Sequence, residues 1–162
     1  MKVVSFYRFF DLENPKIHCE PLQALCDENN LLGTVLLAEE GFNCTLAGNR
    51  QSVMTVLTWL KNTFALQSPI EVRWTEAAQA PFRHMRVRLK KEIVTLGRVD
   101  IKPHKSSSRY LSANDWNELI DNPDTLVIDT RNHYEVEIGS FPNSLNPGTD
   151  SFRQFPLFAK QL

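Results

Sequence analysis

Asn49-Arg50-Gln51-Ser52-Val53-Met54-Thr55-Val56-Leu57-Thr58-Trp59-Leu60-Lys61-Asn62-Thr63-Phe64 sets Val53, Val56, Leu57, Leu60 and Phe64 on one helical stripe. Their i, i+3, i+4, i+7 and i+11 spacing predicts an amphipathic helix. Just upstream, Gly33–Ala38 and Cys44–Ala47 are short apolar runs that predict strands, with Glu39-Glu40-Gly41-Phe42-Asn43 as a tight link. Further back, Lys2–Phe10 is β-branched and aromatic with little periodicity, as expected of a central strand. Asp11–Pro21 holds Pro15, Pro21 and Asn14 and reads as a loop. Pro21–Leu32 places Leu22, Leu25, Cys26 and Leu32 on roughly one helical face, with Gly33 as the expected C-cap. Downstream, Ile70–Trp74 predicts a fourth strand.

The order β-α-β-β-α-β is the split sandwich of a ferredoxin-like α+β domain, acylphosphatase-like in outline, expected over residues 1–100. Met85–Leu96 adds either a hairpin or one long strand. Ile101–Ser108, with a proline, two lysines and three serines, predicts a linker within 101–110. From 111 to 162 the pattern changes. Ser112-Ala113-Asn114-Asp115 opens a short helix carrying Trp116, Leu119 and Ile120, and Leu126-Val127-Ile128-Asp129 predicts a buried strand ending in an acid.

Composition is that of a globular protein, 42% hydrophobic and 23% charged. No apolar run approaches the roughly 18 residues of a membrane span. The N-terminus, interrupted by Arg8, reads as a strand and not as a signal peptide. Three cysteines, Cys19, Cys26 and Cys44, without a CxxC pair fit a soluble protein of the reducing cytoplasm.

The net charge of −1 conceals an asymmetry. Between Pro81 and Tyr110 stand Arg83, Arg86, Arg88, Lys90, Lys91, Arg98, Lys102, Lys105 and Arg109, opposed only by Glu92 and Asp100. Such a segment suits a polyanion. Arg86, Arg88 and Lys90 alternate, so one face of a strand would present all three, and Arg83, Arg86, Arg88 and Lys90 are the candidate RNA phosphate contacts. The alternative is a solvated basic strand. Tyr7 and Phe9 share a face of the first strand and offer either a base-stacking surface or packing against helices or the second domain.

The strongest motif is Asp129-Thr130-Arg131-Asn132-His133-Tyr134-Glu135, followed by Ile138-Gly139 and Asn146-Pro147. It resembles the opening of rhodanese domains, where a strand ends in Asp-x-Arg with Glu four residues later. The segment 111–162 is accordingly expected to be the N-terminal part of an α/β rhodanese-like domain. Arg131 and Glu135 are expected to pair across one turn and brace a strand end, and Asp129, Arg131 and Glu135 form the expected site scaffold. Gly139-Ser140-Phe141-Pro142-Asn143-Ser144 departs from the usual Gly-His-Ile-Pro-Gly-Ala, which points to a specialised branch.

Several further motifs name that branch. Glu39–Thr45, Pro81–Val87, Lys90–Gly97, Asp129–Asn132 and Phe152–Pro156, in this order, resemble the rhodanese-domain tRNA uridine hydroxylase family. The resemblance implies tRNA as partner, molecular oxygen as co-substrate and wobble 5-hydroxyuridine as product. Cys44 departs from the glycine usual there, and would strain the turn if that position needs positive φ. The family's reactive cysteine lies in a downstream loop, and no cysteine follows Cys44. No catalytic residue is therefore assigned in this chain, which is expected to be a truncated, cleaved or partly observed form of a longer protein and inactive by itself. An ordinary rhodanese-type sulfurtransferase and a non-catalytic RNA- or protein-binding module are the alternative readings.

Cys26 and Cys44 read as packed core, and Cys19 beside His18 activates only if adjacent loop side chains converge. The four histidines are scattered, there is no GxGxxG or P-loop, and neither a metal nor a flavin site is visible. The electron source and the oligomeric state are not legible.

Overall fold

A computed structural model describes residues 1–98, 100–106 and 111–162, in two compact units. The first unit is Met1–Val94 with Ile101–His104, and the second is Thr95–Asp100 with Lys105–Leu162. Of the expected linker, residues 107–110 lie outside the described residues.

The first unit runs β1 (Lys2–Phe9), α1 (Cys19–Glu28), β2 (Leu32–Ala38), β3 (Gly41–Gly48), α2 (Arg50–Thr63), β4 (Arg73–Glu76) and β5 (Met85–Leu89). Its sheet has the order β4-β1-β3-β2-β5. The first four strands are antiparallel neighbours, and β5 lies parallel to β2 at the edge. This is the ferredoxin-like α+β arrangement expected from the order of elements, extended by one strand. Strand alternation sends Val4 and Phe6, Val35 and Leu37, and Phe42, Cys44 and Leu46 to one face. There they meet Leu22 and Cys26 of α1 and Val53, Val56, Leu57 and Leu60 of α2, forming the core.

Several boundaries differ from the sequence reading, each for a local reason. α1 begins at Cys19 after a 3-10 turn at Pro15–His18, inside the expected loop, so Pro21 still falls in the first turn where no partner for its nitrogen is missed. It ends at Glu28, because Asn30 turns left-handed (φ 52°) and the Leu31 N–H reaches the Cys26 carbonyl. Gly33 is thus no cap. It lies within β2 at φ +132°, where a Cβ would stand 2.1 Å from the Thr45 carbonyl oxygen. β3 starts at Gly41 and not at Cys44, and Cys44 occupies ordinary strand backbone paired with Phe6 and Val35, so the anticipated strain is absent there. The fourth strand slides from Ile70–Trp74 to Arg73–Glu76, while Ile70 and Val72 pack on the core from the preceding loop. Met85–Leu96 is a strand only to Leu89 and forms no hairpin. After the Lys90 N–H donates to the Leu37 carbonyl the chain turns, and Ile93 is buried with its N–H on Glu40 Oε1.

The second unit holds α3 (Ala113–Ile120), α4 (His133–Ile138) and α5 (Phe155–Ala159). Ser112 and Asp115 form a capping box on α3. The expected buried strand at Leu126–Asp129 shrinks to one parallel bridge, Ile128 to Leu145, and Leu126 is exposed. A fully buried strand needs ladder partners on both edges and cover on both faces; among the described residues this segment has neither. The half-buried rings of Phe152 and Phe155 stack, Phe158 lies tilted against Phe155, and Trp116 packs on Phe141.

Two expectations follow from this difference in packing. α2 ends with Ala65 at φ 48° and Leu66 N–H on the Lys61 carbonyl, a cap geometry that glycine fits without steric cost. Ala65→Gly should raise stability to urea by about 1 kcal/mol, whereas Gly33→Ala should lower it by about 2–3 kcal/mol; equal and small effects would contradict the backbone assignments. Hydrogen exchange should be slow in β1 and β3 and fast across Leu126–Leu162, since local stability follows buried apolar contact. Strong protection in that segment would refute the second expectation.

Candidate functional site

In β5, Met85 and Val87 are half-buried on the core while Arg86 and Arg88 project, exposed, from the helix-free face of the sheet. Their neighbours across the parallel ladder are Thr34 and Leu36. Lys90 continues the same alternation one step beyond the strand, and Arg83 lies exposed in the turn before it. Three of the four predicted basic residues thus share one edge of one face, with Arg83 at its entrance. The Val87 N–H, pointing away from β2, donates to Gln23 Oε1 of α1 at 2.8 Å, which fixes the strand's position.

Tyr7 and Phe9 point to the same helix-free face, so they do not pack against the helices. Their rings meet edge to face at 5.8 Å, and Tyr7 is 46% exposed. Arg73 of β4 was missed by the sequence reading. It pairs across the ladder with Ser5 and is exposed on this face as well. The expected strand Ile70–Trp74 contained it, but only the pairing of β4 with β1 shows which residues share its face.

The cysteines lie on the other side of the sheet or away from it. Cys26 and Cys44 are buried, and burial pushes the Cys26 thiol up to about 12. Burial likewise raises Cys44 well above the ordinary thiol range. Cys19 is half-buried with Sγ 3.6 Å from the Pro15 carbonyl, and burial raises it too. His18 packs edge-on against Trp59 and Phe64. No thiol here has the depressed pKa of a nucleophile.

In the second unit the Asp-x-Arg segment is a compact polar cluster. Arg131 forks onto Asp129, with Nε 2.9 Å from Oδ1 and Nη2 2.5 Å from Oδ2, and Nη2 also donates to the Gly139 carbonyl at 2.6 Å. Ser140 Oγ donates to Asp129 Oδ2 at 2.7 Å. The Arg131 guanidinium, then the Ser140 hydroxyl, hold the Asp129 carboxyl well below the usual carboxylate range. The expected Arg131–Glu135 pair is not formed. Glu135 instead accepts the Asn132 N–H in the capping box of α4, so its carboxylate serves a helix terminus while the nearer Asp129 takes the arginine. Beside this cluster, Trp116, Val127, Ile128, Thr130 and Phe141 help line an open cleft of about 640 Å³.

Residues 1–93 match the UPF0176 acylphosphatase-like domain. The chain belongs to the UPF0176 family. A curated relative, the tRNA uridine(34) hydroxylase of Picosynechococcus sp., is 41% identical over 154 residues. The match covers 95% of this chain and 51% of that protein, so the chain spans about half the length of this curated relative. This agrees with the resemblance drawn from the ordered motifs. Among solved structures the chain is similar to an acylphosphatase from Coxiella burnetii, at 21% identity and TM-score 0.38, over 54% of this chain and 90% of that one. An acylphosphatase from Bacillus subtilis gives 15% identity and TM-score 0.39, over 56% and 99%.

Two measurements check the electrostatics of these groups. A lowered Asp129 pKa means that its contact with Arg131 stabilises the folded unit above the ordinary aspartate range and is lost as pH falls through the depressed value. Carbon-detected NMR should find Asp129 still ionised near pH 3.9, about where a free aspartate is half protonated, and Arg131→Ala should raise its midpoint. An unmoved midpoint would refute the fork. For the thiols, a disulfide reagent at neutral pH should label Cys19 alone, slowly, in the native chain, and all three after unfolding. Native labelling of Cys26 or Cys44 would contradict the core.

Proposed function

We propose that this chain is the N-terminal part of a cytoplasmic tRNA-modifying enzyme that hydroxylates wobble uridine to 5-hydroxyuridine with molecular oxygen. The observation that carries this reading is the 41% identity, sustained over 95% of the chain, to a protein named tRNA uridine(34) hydroxylase. In this reading the first unit docks tRNA through Arg83, Arg86, Arg88 and Lys90. The exposed face of β5 supports that role, because cations on a fixed strand meet phosphates without having to be ordered first. The second unit belongs to a rhodanese-like domain whose reactive cysteine this chain does not supply. Asp129, Arg131 and Glu135 then act as scaffold: the Asp129–Arg131 fork ties one chain segment to the Gly139 carbonyl, and Glu135 secures the start of α4.

The test is nucleoside mass spectrometry on tRNA from cells lacking the gene, complemented with the complete reading frame. The wild-type frame should restore 5-hydroxyuridine and a frame carrying Arg86→Glu and Arg88→Glu should restore much less. If deletion removes no 5-hydroxyuridine, the reading is wrong. In vitro, the double reversal should weaken tRNA binding at low salt by about tenfold or more. Neutralising both residues to alanine should reduce the slope of log K against log salt by about two; an unchanged affinity and slope would remove tRNA docking from β5.

A further inference from the structure

The register of the sheet aligns a row of side chains across all five strands on the helix-free face. Arg73 of β4 lies opposite Ser5 of β1, Ser5 opposite Thr45 of β3, Thr45 opposite Thr34 of β2, and Thr34 opposite Arg86 of β5. The next row is Tyr7, Asn43, Leu36 and Arg88. With strands about 4.8 Å apart, Arg73 and Arg86 stand about 19 Å from one another. Between them lie small hydroxyls, with Ser5 and Thr45 Oγ atoms 3.3 Å apart, and a half-exposed tyrosine ring.

A sheet face turned to solvent is polar by necessity, but it normally mixes both signs of charge. This chain has 19 acidic residues, and among the described strand positions of this face none is a carboxylate. The pattern is cations at both edges, hydroxyls between them and an aromatic ring in the next row. One end of the face is already closed, since the Asn43 amide donates to the Ile93 carbonyl. Solvent reaches the exposed Ser5 in one row and, at the two ends of the next, Tyr7 (46% exposed) and the exposed Arg88.

We infer that this face is a platform for unpaired RNA, with a base stacked on Tyr7 and flanking phosphates held by Arg86 and Arg88 on one edge and Arg73 on the other. The inference rests on the tRNA-docking reading of β5 and narrows it to a single-stranded segment. A duplex hides its base faces and offers a tyrosine nothing to stack on, whereas a loop or an end can splay its bases onto an aromatic ring. Ser5, Thr34 and Thr45 present short donors and acceptors suited to base edges and 2′-hydroxyls, and leave the face flat enough for a chain of nucleotides to lie along. The cations at both edges repel a basic partner such as a Lys/Arg-rich peptide.

The experiment uses the complete protein and two fluorescent probes, a uridine-rich single-stranded oligoribonucleotide and an RNA duplex of equal length, read by anisotropy at low salt. The single strand should bind at least tenfold more tightly. Tyr7→Ala should weaken the single strand about 5- to 100-fold, the range for one lost base stack, and leave the duplex unchanged; Tyr7→Phe should restore it. Arg73→Ala should weaken the single strand and lower its salt slope by about one. Equal binding of the two probes, or no effect of Tyr7→Ala and Arg73→Ala, overturns the platform. If Arg86→Glu with Arg88→Glu still abolishes tRNA binding in that case, the docking reading survives and only the platform falls; if tRNA does not bind the complete protein at all, both fall. Tyr7-dependent self-association without RNA binding would assign the face to a second copy of the chain and also overturn it.

Discussion

Strand β3 is the member on which the first unit depends. It is zipped to β1 from Gly41 to Gly48 and to β2 from Gly41 to Ala47, so its backbone is saturated on both edges. That double pairing requires backbones to approach more closely than a side chain allows at two points. A Cβ at Gly41 would lie 2.0 Å from the Arg8 carbonyl oxygen, and one at Gly33 would lie 2.1 Å from that of Thr45. Two missing side chains therefore set the register, and the register decides which residues on every strand face helices and which face away. The core and the basic face are two readings of the same alignment.

That alignment also explains which features could be read without coordinates. The α2 stripe and the alternation along β5 are local periodicities; α2 appears within a residue at each end, whereas β5 keeps its alternation but stops at Leu89, well short of the expected Leu96. The core assignments of Cys26 and Cys44 were equally accessible, because Cys26 falls on the apolar face of its helix and Cys44 shares strand parity with Phe42 and Leu46. What depended on tertiary pairing was not accessible. Gly33 looks like a helix cap because glycine after an apolar helix usually is one, and only the approach of Thr45 reveals its other use. Arg73 was invisible as a member of the basic face, since its direction follows from pairing with Ser5. The partner of Arg131 was misjudged because the i, i+4 rule applies inside a helix, whereas Arg131 precedes α4 and its two-residue neighbour Asp129 is closer.

The two units differ in kind as well as in sequence. In the first, strands and helices bury a continuous set of side chains down to complete exclusion of water. In the second, the only buried side chains among the described residues are Asp129 and Thr149, both polar. Order there comes from directed bonds, namely two capping boxes and the Asp129–Arg131–Ser140 cluster, and not from enclosed apolar volume. Hydrogen bonds of this kind specify geometry well while contributing modest net stability. A unit built this way holds its motif in shape and leaves apolar side chains such as Ile138 and Leu157 outside.

The bond from the Val87 N–H to Gln23 Oε1 carries a consequence for how the molecule behaves in a crowded solution. β5 is the last strand of its sheet, and a terminal strand with free amides is a template for pairing with any extended chain that drifts past. Here a side-chain amide from the neighbouring helix occupies the donor in the middle of that template. The basic side chains to either side repel a like-charged copy approaching edge to edge. The strand can thus display cations without becoming a seed for fibre growth. A half-buried glutamine on α1 is in this sense a guard against aggregation.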